Sequence, residues 1–201
     1  MRFPPRAGTL LVIGLAALVV AATAWLAVGG IHSPPGAPPS IAIGGPIHLT
    51  SQSGDAFDSA MLDGKPYAVF FGFTHCPEVC PTTLYELSTD LKRLGPQATD
   101  FRVLFITVDP ERDTPAFLKD YLANFDPRIV GLTGTPEEIA AVAKSFRIYY
   151  EKVPTSDGDY TMNHTAIVFL MDRKGQLFGT LGYDEGDEVK FEKLQRLLQE
   201  S

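Results

Sequence analysis

Cysteine is scarce in this sequence: Cys76 and Cys80 are the two cysteines of a 201-residue chain. That number excludes a scaffold held by many disulfides and a zinc site built from four cysteines. Basic residues are also few, because 17 lysines and arginines face 24 acidic residues and leave a net charge of −7. The basic residues are scattered, so the sequence has no footprint for nucleic acid. The length suffices for one domain with a sizeable core and an extension.

One long uncharged run, residues 9–28, follows Arg2 and Arg6. At the helical rise it spans about 30 Å, the hydrocarbon core of one bilayer, so it predicts a transmembrane anchor after a cytoplasmic segment 1–8. The two arginines favour a cytoplasmic N-terminus, which places the rest of the chain outside. A cleavable signal peptide, with residues 22–24 as its small-residue site, is the alternative. No cysteine lies near this run, which excludes a lipoprotein anchor.

The residues after the anchor divide into a linker, 29–40, and a domain, 41–201. Four prolines in the linker predict an extended conformation. The predicted elements of the domain are a hairpin (46–49, 56–58), a strand (67–73), a helix (81–94), a strand (101–108), a helix capped by Thr114, a helix after a Thr135–Glu138 capping box, a strand (148–153), a polar loop (154–164), a hairpin (166–171, 176–181) and a helix (189–198). Parallel strands with crossover helices, followed by an antiparallel hairpin, predict an α/β domain of thioredoxin-like fold with an N-terminal β-hairpin extension.

The two cysteines stand between an apolar strand and a helix start. Pro81 suits the first helical position, and Cys80 the cap before it. A helical turn brings both sulfurs to one side, and the helix N-terminus favours thiolates. An inert buried pair or a structural disulfide is the alternative, although a bridge across so short a loop restrains little of the unfolded chain. Outside the cytoplasm a nearby pair can oxidise. The Cys-x-x-x-Cys spacing has one residue more than that of thioredoxins, which weakens the case for a dedicated disulfide exchanger.

His164 is a third candidate ligand, because it precedes an apolar strand whose start approaches the cysteines in such a sheet. Two thiolates and one imidazole suit copper: thiolates select Cu(I), and the imidazole helps to hold Cu(II). Zinc would require a fourth ligand, which the sequence does not obviously supply. A structural role for a lone histidine at a strand start is the alternative. His75, beside Cys76, is interpreted as a supporting or structural residue.

Four segments together resemble the Sco/SenC family, membrane-tethered copper proteins that help to assemble the CuA centre of cytochrome c oxidase. They are Phe71-Gly-Phe-Thr-His-Cys-Pro-Glu-Val-Cys-Pro81, Val108-Asp-Pro-Glu-Arg-Asp-Thr114, Gly131-Leu-Thr-Gly-Thr135 and Asp159-Tyr-Thr-Met-Asn-His164-Thr. The resemblance covers about residues 40–200 and implies that Cys76, Cys80 and His164 are copper ligands. It also implies an acidic residue at position 163, where this chain has Asn163.

The resemblance implies a copper metallochaperone that hands copper to the copper-binding subunit of the oxidase and receives it from a copper donor protein. The expected location is the bacterial inner membrane, crossed once, with the domain in the periplasm. A thiol–disulfide reductase that keeps the oxidase subunit's cysteines reduced is the alternative, with Cys76 and Cys80 cycling. A redox or copper sensor is a third hypothesis.

Four further residues have open roles. Asp109 and Asp113 belong either to a site-adjacent acidic loop or to a turn followed by a helix start. Glu78 lies between the cysteines and is expected to be solvated. Tyr160 either covers the site or anchors its loop.

The one-sided apolar stripes of the later helices predict that residues 30–201 fold without the anchor as a soluble monomer. The uncharged run ends before the linker, so its removal takes no residue from the domain. Sedimentation equilibrium of this fragment is expected to give the mass of a single chain. A fragment that stays aggregated would contradict the single-domain interpretation.

Overall fold

The structure, a computed structural model, describes residues 42–156 and 158–200. The predicted cytoplasmic segment, transmembrane anchor and linker lie outside these residues. Within the two described ranges, no helix combines the length and the apolar character needed to cross a membrane.

The described residues alternate strands and helices in the order expected of an α/β domain. The strands are β1 (His48–Ser51), β2 (Ala56–Asp58), β3 (Tyr67–Gly72), β4 (Arg102–Thr107), β5 (Ile129–Thr133), β6 (Tyr150–Pro154), β7 (Tyr160–His164), β8 (Ile167–Met171) and β9 (Leu177–Gly182). The α-helices are α1 (Val79–Leu94), α2 (Pro115–Leu122), α3 (Pro136–Ser145) and α4 (Asp187–Glu200), and 3₁₀ turns occupy Ser59–Leu62 and Gly95–Ala98.

Seven strands form one sheet in the order β2-β1-β5-β4-β3-β8-β9, while β6 and β7 pair in a separate two-stranded sheet. The three central strands, β3, β4 and β5, are parallel, and β1 and β8 join them in antiparallel orientation. Parallel neighbours need crossover connections, which α1 and α2 supply. The carboxyl end of β3, in the middle of the sheet, leads directly into the cysteine segment.

The central strands are buried on both faces, which explains their continuous apolar runs. Phe70 packs against Phe105 of β4, which in turn stacks on Tyr121 of α2. The next residue, Phe71, points to the opposite face and packs against Phe146, directly after α3. The core therefore lies on both sides of β3 and fixes the strand that carries the cysteine segment.

Two helix starts have the caps that the sequence predicts. Thr114 accepts a hydrogen bond from the N–H of Phe117 at the start of α2. At the start of α3, Thr135 and Glu138 form both hydrogen bonds of a capping box. These caps confirm the predicted helix starts, and each satisfies N–H groups that lack partners within the helix.

The third central strand, β5, has no counterpart in the sequence-based prediction. It is five residues long and contains Gly131, which interrupts its apolar run. A Cβ atom at this position would lie 2.6 Å from the Leu122 Cδ1 atom of α2. The glycine is therefore required by the close approach of α2, a tertiary constraint that a strand pattern does not display.

The predicted polar loop 154–164 is wrong in its second half, because β7 occupies Tyr160–His164. This strand pairs antiparallel with β6, which begins two residues later than predicted. Most residues of the pair are polar and partly or fully exposed. Backbone pairing, and not the burial of an apolar run, forms this hairpin. A hydropathy pattern in the sequence therefore does not predict it. His164 therefore ends a strand and not a loop.

Replacing Gly72 with alanine is expected to destabilise the domain by about 1–3 kcal/mol through overpacking. A Cβ atom there would lie 2.6 Å from Phe105 Cε2 and 2.8 Å from Cys80 Sγ, and both neighbours are buried. Gly179→Ala in β9 is the matched control, since a Cβ atom at that position meets nothing within 4 Å. Denaturant midpoints measure the effect, and equal midpoints for the two variants would contradict it.

Candidate metal centre

The cysteine segment enters α1 earlier than the sequence predicts. The helix starts at Val79, so Cys80 lies in its first turn and is not the cap; the prediction is wrong here by two residues. Glu78 occupies the cap position, but its side chain makes no capping hydrogen bond. The N–H of Cys80 donates instead to Cys76 Sγ at 3.4 Å. The sulfur of Cys76 thus takes the acceptor role of a capping side chain, and the helix start favours its thiolate form.

Cys76, Cys80 and His164 come together although 84 residues separate Cys80 from the histidine. Both Sγ atoms and a ring nitrogen of His164 lie within 4.8 Å of one another. His164 Nε2 lies 3.7 Å from Cys80 Sγ. Cys80 is fully buried, whereas Cys76 and His164 are partly exposed. The three residues therefore form a cluster that could hold a metal ion and that is open to solvent on one side.

Backbone and core contacts fix the orientation of the imidazole. His164 Nδ1 lies 3.1 Å from the carbonyl oxygen of Thr165, and a carbonyl can only accept, so Nδ1 carries the proton. Nε2 is then left with a free lone pair directed at the cysteines. The ring also packs edge-on against Phe73, with centroids 5.8 Å apart.

Asn163, where the resemblance implies an acidic residue, contributes nothing to this arrangement. It is exposed, and its Nδ2 donates to Glu151 Oε1 across the hairpin at 3.4 Å. Successive residues of a strand point to opposite faces, so Asn163 faces away from the site. The carbonyl of Thr165 supplies the support that an outer carboxylate would otherwise give to a ligating histidine.

The two sulfurs share one proton unequally. A hydrogen bond from the Cys80 thiol, together with hydrogen bonds from backbone N–H groups, lowers the pKa of Cys76 to about 4 despite partial burial. The pKa of Cys80 is raised, because its thiol donates to Cys76 and because it is buried. At neutral pH the reduced site therefore combines a Cys76 thiolate with a Cys80 thiol. A metal ion that binds both sulfurs must displace the proton of Cys80.

Asp113 supports the cysteine segment from inside the domain. It is fully buried and accepts hydrogen bonds from the Thr74 N–H (3.0 Å), the Thr74 hydroxyl (2.5 Å) and the Thr107 hydroxyl (2.6 Å). Burial raises the pKa of the Asp113 carboxyl, and the hydrogen bonds from the two threonines oppose that effect. The sequence marks Asp113 but not Thr74 or Thr107, whose roles depend on contacts between distant residues.

His75 and Glu78 lie beside the cluster without joining it. The ring of His75 stacks on Phe117 of α2, with centroids 5.4 Å apart and planes 13° from parallel. Its Nδ1 lies 3.1 Å from the Thr74 hydroxyl. Glu78 is exposed, as expected. The stacked pair of His75 and Phe117 forms one exposed rim of the site.

Tyr160 contacts the loop between β4 and α2 rather than the cysteines. Its hydroxyl donates to Asp109 Oδ1 at 2.9 Å, and its carbonyl accepts from Arg112 Nη1 at 3.0 Å. Of the two interpretations of Tyr160, these contacts favour an anchor for its own segment. Arg112 had no predicted role, and its position within the acidic run 109–113 is the one sequence signal that could have suggested an ion pair.

The fold and the cluster define a class of protein: a thioredoxin-like α/β domain with a two-cysteine, one-histidine cluster where its central strand meets a helix. Residues 36–199 match the family model described as SCO1/SenC. The chain belongs to this family, which confirms the resemblance carried by the sequence motifs.

Similar proteins share both the sequence and the architecture. Protein SCO1, mitochondrial, of Saccharomyces cerevisiae is 41% identical over 148 residues, which cover 71% of this chain and 50% of that protein. The structure of Bradyrhizobium japonicum ScoI with copper bound is 51% identical, covers 78% of this chain and 99% of that chain, and has a TM-score of 0.72. BsSco is 25% identical with a TM-score of 0.62 over 82% of this chain and 98% of that chain; it has a disulfide switch and is described as a member of the Sco family of cytochrome c oxidase assembly proteins. These likenesses confirm the predicted thioredoxin-like fold.

Alkylation of the reduced, metal-free protein is expected to occur first at Cys76. With the pKa of Cys76 at about 4, its rate should stay nearly constant from pH 8 to pH 5.5, where an ordinary thiol loses reactivity about tenfold per pH unit. Iodoacetamide labelling followed by peptide mass spectrometry measures this profile.

Cys80→Ala is the informative partner variant, because it removes the hydrogen bond that lowers the pKa of Cys76 most. Without this hydrogen bond the pKa of Cys76 rises. As the pH is lowered, Cys76 of the variant should therefore lose its reactivity at a higher pH than Cys76 of the parent protein. The asymmetry of the pair is disproved if Cys76 in the parent protein loses its reactivity between pH 8 and pH 6.

Proposed function

We propose that this protein is a copper metallochaperone for the CuA centre of cytochrome c oxidase and that it holds copper through Cys76, Cys80 and His164. The observation that carries the proposal is the convergence of two sulfurs and an imidazole nitrogen within 4.8 Å. The recipient is the copper-binding subunit of the oxidase, and a separate copper donor protein supplies the cargo.

The chemistry of the three side chains supports copper as the cargo. Thiolates are soft donors that select Cu(I), whereas an imidazole nitrogen improves the site for Cu(II). The cluster offers three protein ligands among the described residues, fewer than a closed tetrahedral zinc site requires. Solved Sco structures with copper bound add independent support, including ScoI of Bradyrhizobium japonicum.

The unequal exposure of the ligands suits a site that gives up its metal. Cys80 is buried, and Cys76 and His164 lie at the open side. A recipient thiolate can approach the cargo from that side and replace the exposed ligands first. Neither cysteine forms a disulfide in the structure, so both sulfurs are available to a metal ion once Cys80 loses its proton.

A thiol–disulfide reductase is the second candidate, favoured by the partial exposure and lowered pKa of Cys76. The Cys76 thiolate would attack a disulfide of the oxidase subunit, form a mixed disulfide and release one subunit thiolate. Cys80, after losing its proton, would then displace the second subunit thiolate and leave a Cys76–Cys80 disulfide. The disulfide switch of BsSco is in keeping with such a cycle. This route does not use His164.

The proposed location is the bacterial inner membrane, with residues 9–28 as a single anchor and the domain in the periplasm. The uncharged run after two arginines supports this arrangement. In that compartment the cysteine pair can oxidise, so copper loading would depend on its reduction.

His164→Ala separates the two candidate functions. The variant is expected to keep much of its Cu(I) affinity, because Cu(I) accepts two thiolates, and to lose most Cu(II) binding with its thiolate-to-copper absorption. Competition titrations with Cu(I) and optical titrations with Cu(II) measure the difference. His75→Ala is the matched control, since that imidazole lies beside the cysteines but outside the cluster.

In cells that lack the wild-type protein, the chaperone function predicts that His164→Ala fails to restore the copper content of the oxidase. Its reaction with small disulfides should continue, because the helix start and Cys80 still favour the Cys76 thiolate. Normal oxidase copper with His164→Ala at ordinary copper supply would refute the chaperone mechanism and favour the reductase.

A further inference from the structure

The ligands of the proposed copper site belong to two separate sheets. Cys76 and Cys80 follow β3 of the seven-stranded sheet, whereas His164 ends β7 of the β6–β7 hairpin. No ladder of backbone hydrogen bonds joins the two sheets within the described residues. β8, which starts at Ile167 and pairs with β3, brings His164 to the carboxyl end of β3, but the direction in which the hairpin leaves the main sheet depends on side chains that hold it against the rest of the domain.

Such side chains meet at Tyr160, the first residue of β7. Its hydroxyl donates to Asp109, and Arg112 donates both to Asp109 and to the Tyr160 carbonyl. The Arg112 guanidinium also lies over the Tyr160 ring, 3.8 Å from its centroid. Asp109, Arg112 and Tyr160 are hereafter called the clasp. Lys152 of β6 extends it, with its Nζ 4.1 Å from the centroid of the same ring.

Burial makes the clasp a firm contact. Asp109 is 2% exposed, and its carboxylate has both oxygens occupied, one by Tyr160 and the other by Arg112. Hydrogen bonds to a buried charge are stronger than those at the surface, and losing one leaves a desolvated acceptor. The hairpin is therefore fixed to the β4–α2 loop at the Tyr160 end.

The same loop also holds the cysteine segment, which couples the two halves of the site. The Thr107 hydroxyl accepts from the Asp109 N–H at 2.9 Å and donates to Asp113 Oδ2. Asp113 in turn holds Thr74, two residues before Cys76. One loop thus positions the cysteines through Asp113 and the hairpin through Asp109.

The strand transmits the position of Tyr160 to His164. Residues 160, 162 and 164 share one face of β7, because side chains alternate along a strand. Met162, between them, is buried, which confirms that this face is turned towards the domain. From residue 160 to residue 164 the strand covers about 13 Å. Fixing Tyr160 therefore fixes the position of His164 along β7 and the direction in which its imidazole projects.

We propose that the clasp positions His164 for copper, so that Tyr160, Asp109 and Arg112 determine Cu(II) binding without touching the ion. The inference rests on the proposed copper site and assigns to Tyr160 the role of a positioning residue. Cu(I), which two thiolates can hold, should be insensitive to the clasp.

Tyr160→Phe in the full-length protein tests the inference, because it removes the hydroxyl and leaves the ring beside Arg112. In the metal-free protein, amide hydrogen exchange of residues 160–165 is expected to accelerate by about tenfold, the effect of one lost hydrogen bond. Cu(II) affinity should fall by about 10–100-fold, as for other residues that orient a ligating histidine. Cu(I) affinity should stay as in the parent protein.

Tyr149→Phe is the matched control, since this exposed tyrosine precedes β6 and takes no part in the clasp. It should match the parent protein in every measurement. Arg112→Lys is a second test, because lysine keeps the charge but lacks the fork that reaches Asp109 and the Tyr160 carbonyl together. Its losses should follow the pattern of Tyr160→Phe.

Three outcomes overturn the inference. Parental hydrogen exchange and Cu(II) binding in Tyr160→Phe would show that the hydroxyl does not hold the hairpin. Equal losses of Cu(I) and Cu(II) would show general damage instead of a displaced imidazole. Undiminished Cu(II) binding in His164→Ala would refute the proposed copper site and, with it, the role of the clasp. If His164→Ala loses Cu(II) binding while Tyr160→Phe binds Cu(II) as the parent protein does, only the role of the clasp is refuted.

Discussion

The hydrogen bonds of the buried Asp113 carboxylate are the interactions on which the metal centre depends. Taking a carboxylate out of water is costly unless its oxygens find donors, and Asp113 finds them in Thr74 and Thr107. Thr107 belongs to a central strand, whereas Thr74 belongs to the segment that leads to Cys76. The requirement to satisfy one buried charge therefore ties the cysteine segment to the buried centre of the sheet.

The three candidate ligands differ in burial and in protonation. Cys80 enters the first turn of α1, where it is buried and its thiol donates a hydrogen bond to Cys76. Cys76 remains at the rim as a thiolate, stabilised by that hydrogen bond and by the N–H of Cys80. His164 reaches the same point from a hairpin outside the main sheet. A buried sulfur, a partly exposed thiolate and an oriented imidazole together favour a site that binds a soft metal ion.

Secondary-structure elements could be predicted where burial or capping produces a local pattern of residues. Elements that depend on contacts between distant segments could not. The strands β3 and β4 were predictable because both of their faces are buried, which produces unbroken apolar runs. The caps at Thr114 and Thr135 were predictable because capping is local. The strand β5 was not predicted because Gly131 interrupts its apolar run. The packing of α2 leaves no space for a side chain at that position. The strand β7 was not predicted because its residues are mostly polar. The helix α1 starts at Val79, two residues earlier than predicted, where the N–H of Cys80 donates to Cys76 Sγ.

The sequence by itself determined the family of this chain and the three candidate ligands, because soft donors at a strand–helix junction and a distant histidine form a specific combination of residues. The tertiary structure alone decided which cysteine is buried, which imidazole nitrogen faces the sulfurs, and what holds the histidine in place. The physical reason is that these properties depend on desolvation and on hydrogen bonds between residues far apart in the chain, such as Thr74 with Asp113 and Asp109 with Tyr160. No local pattern records such contacts.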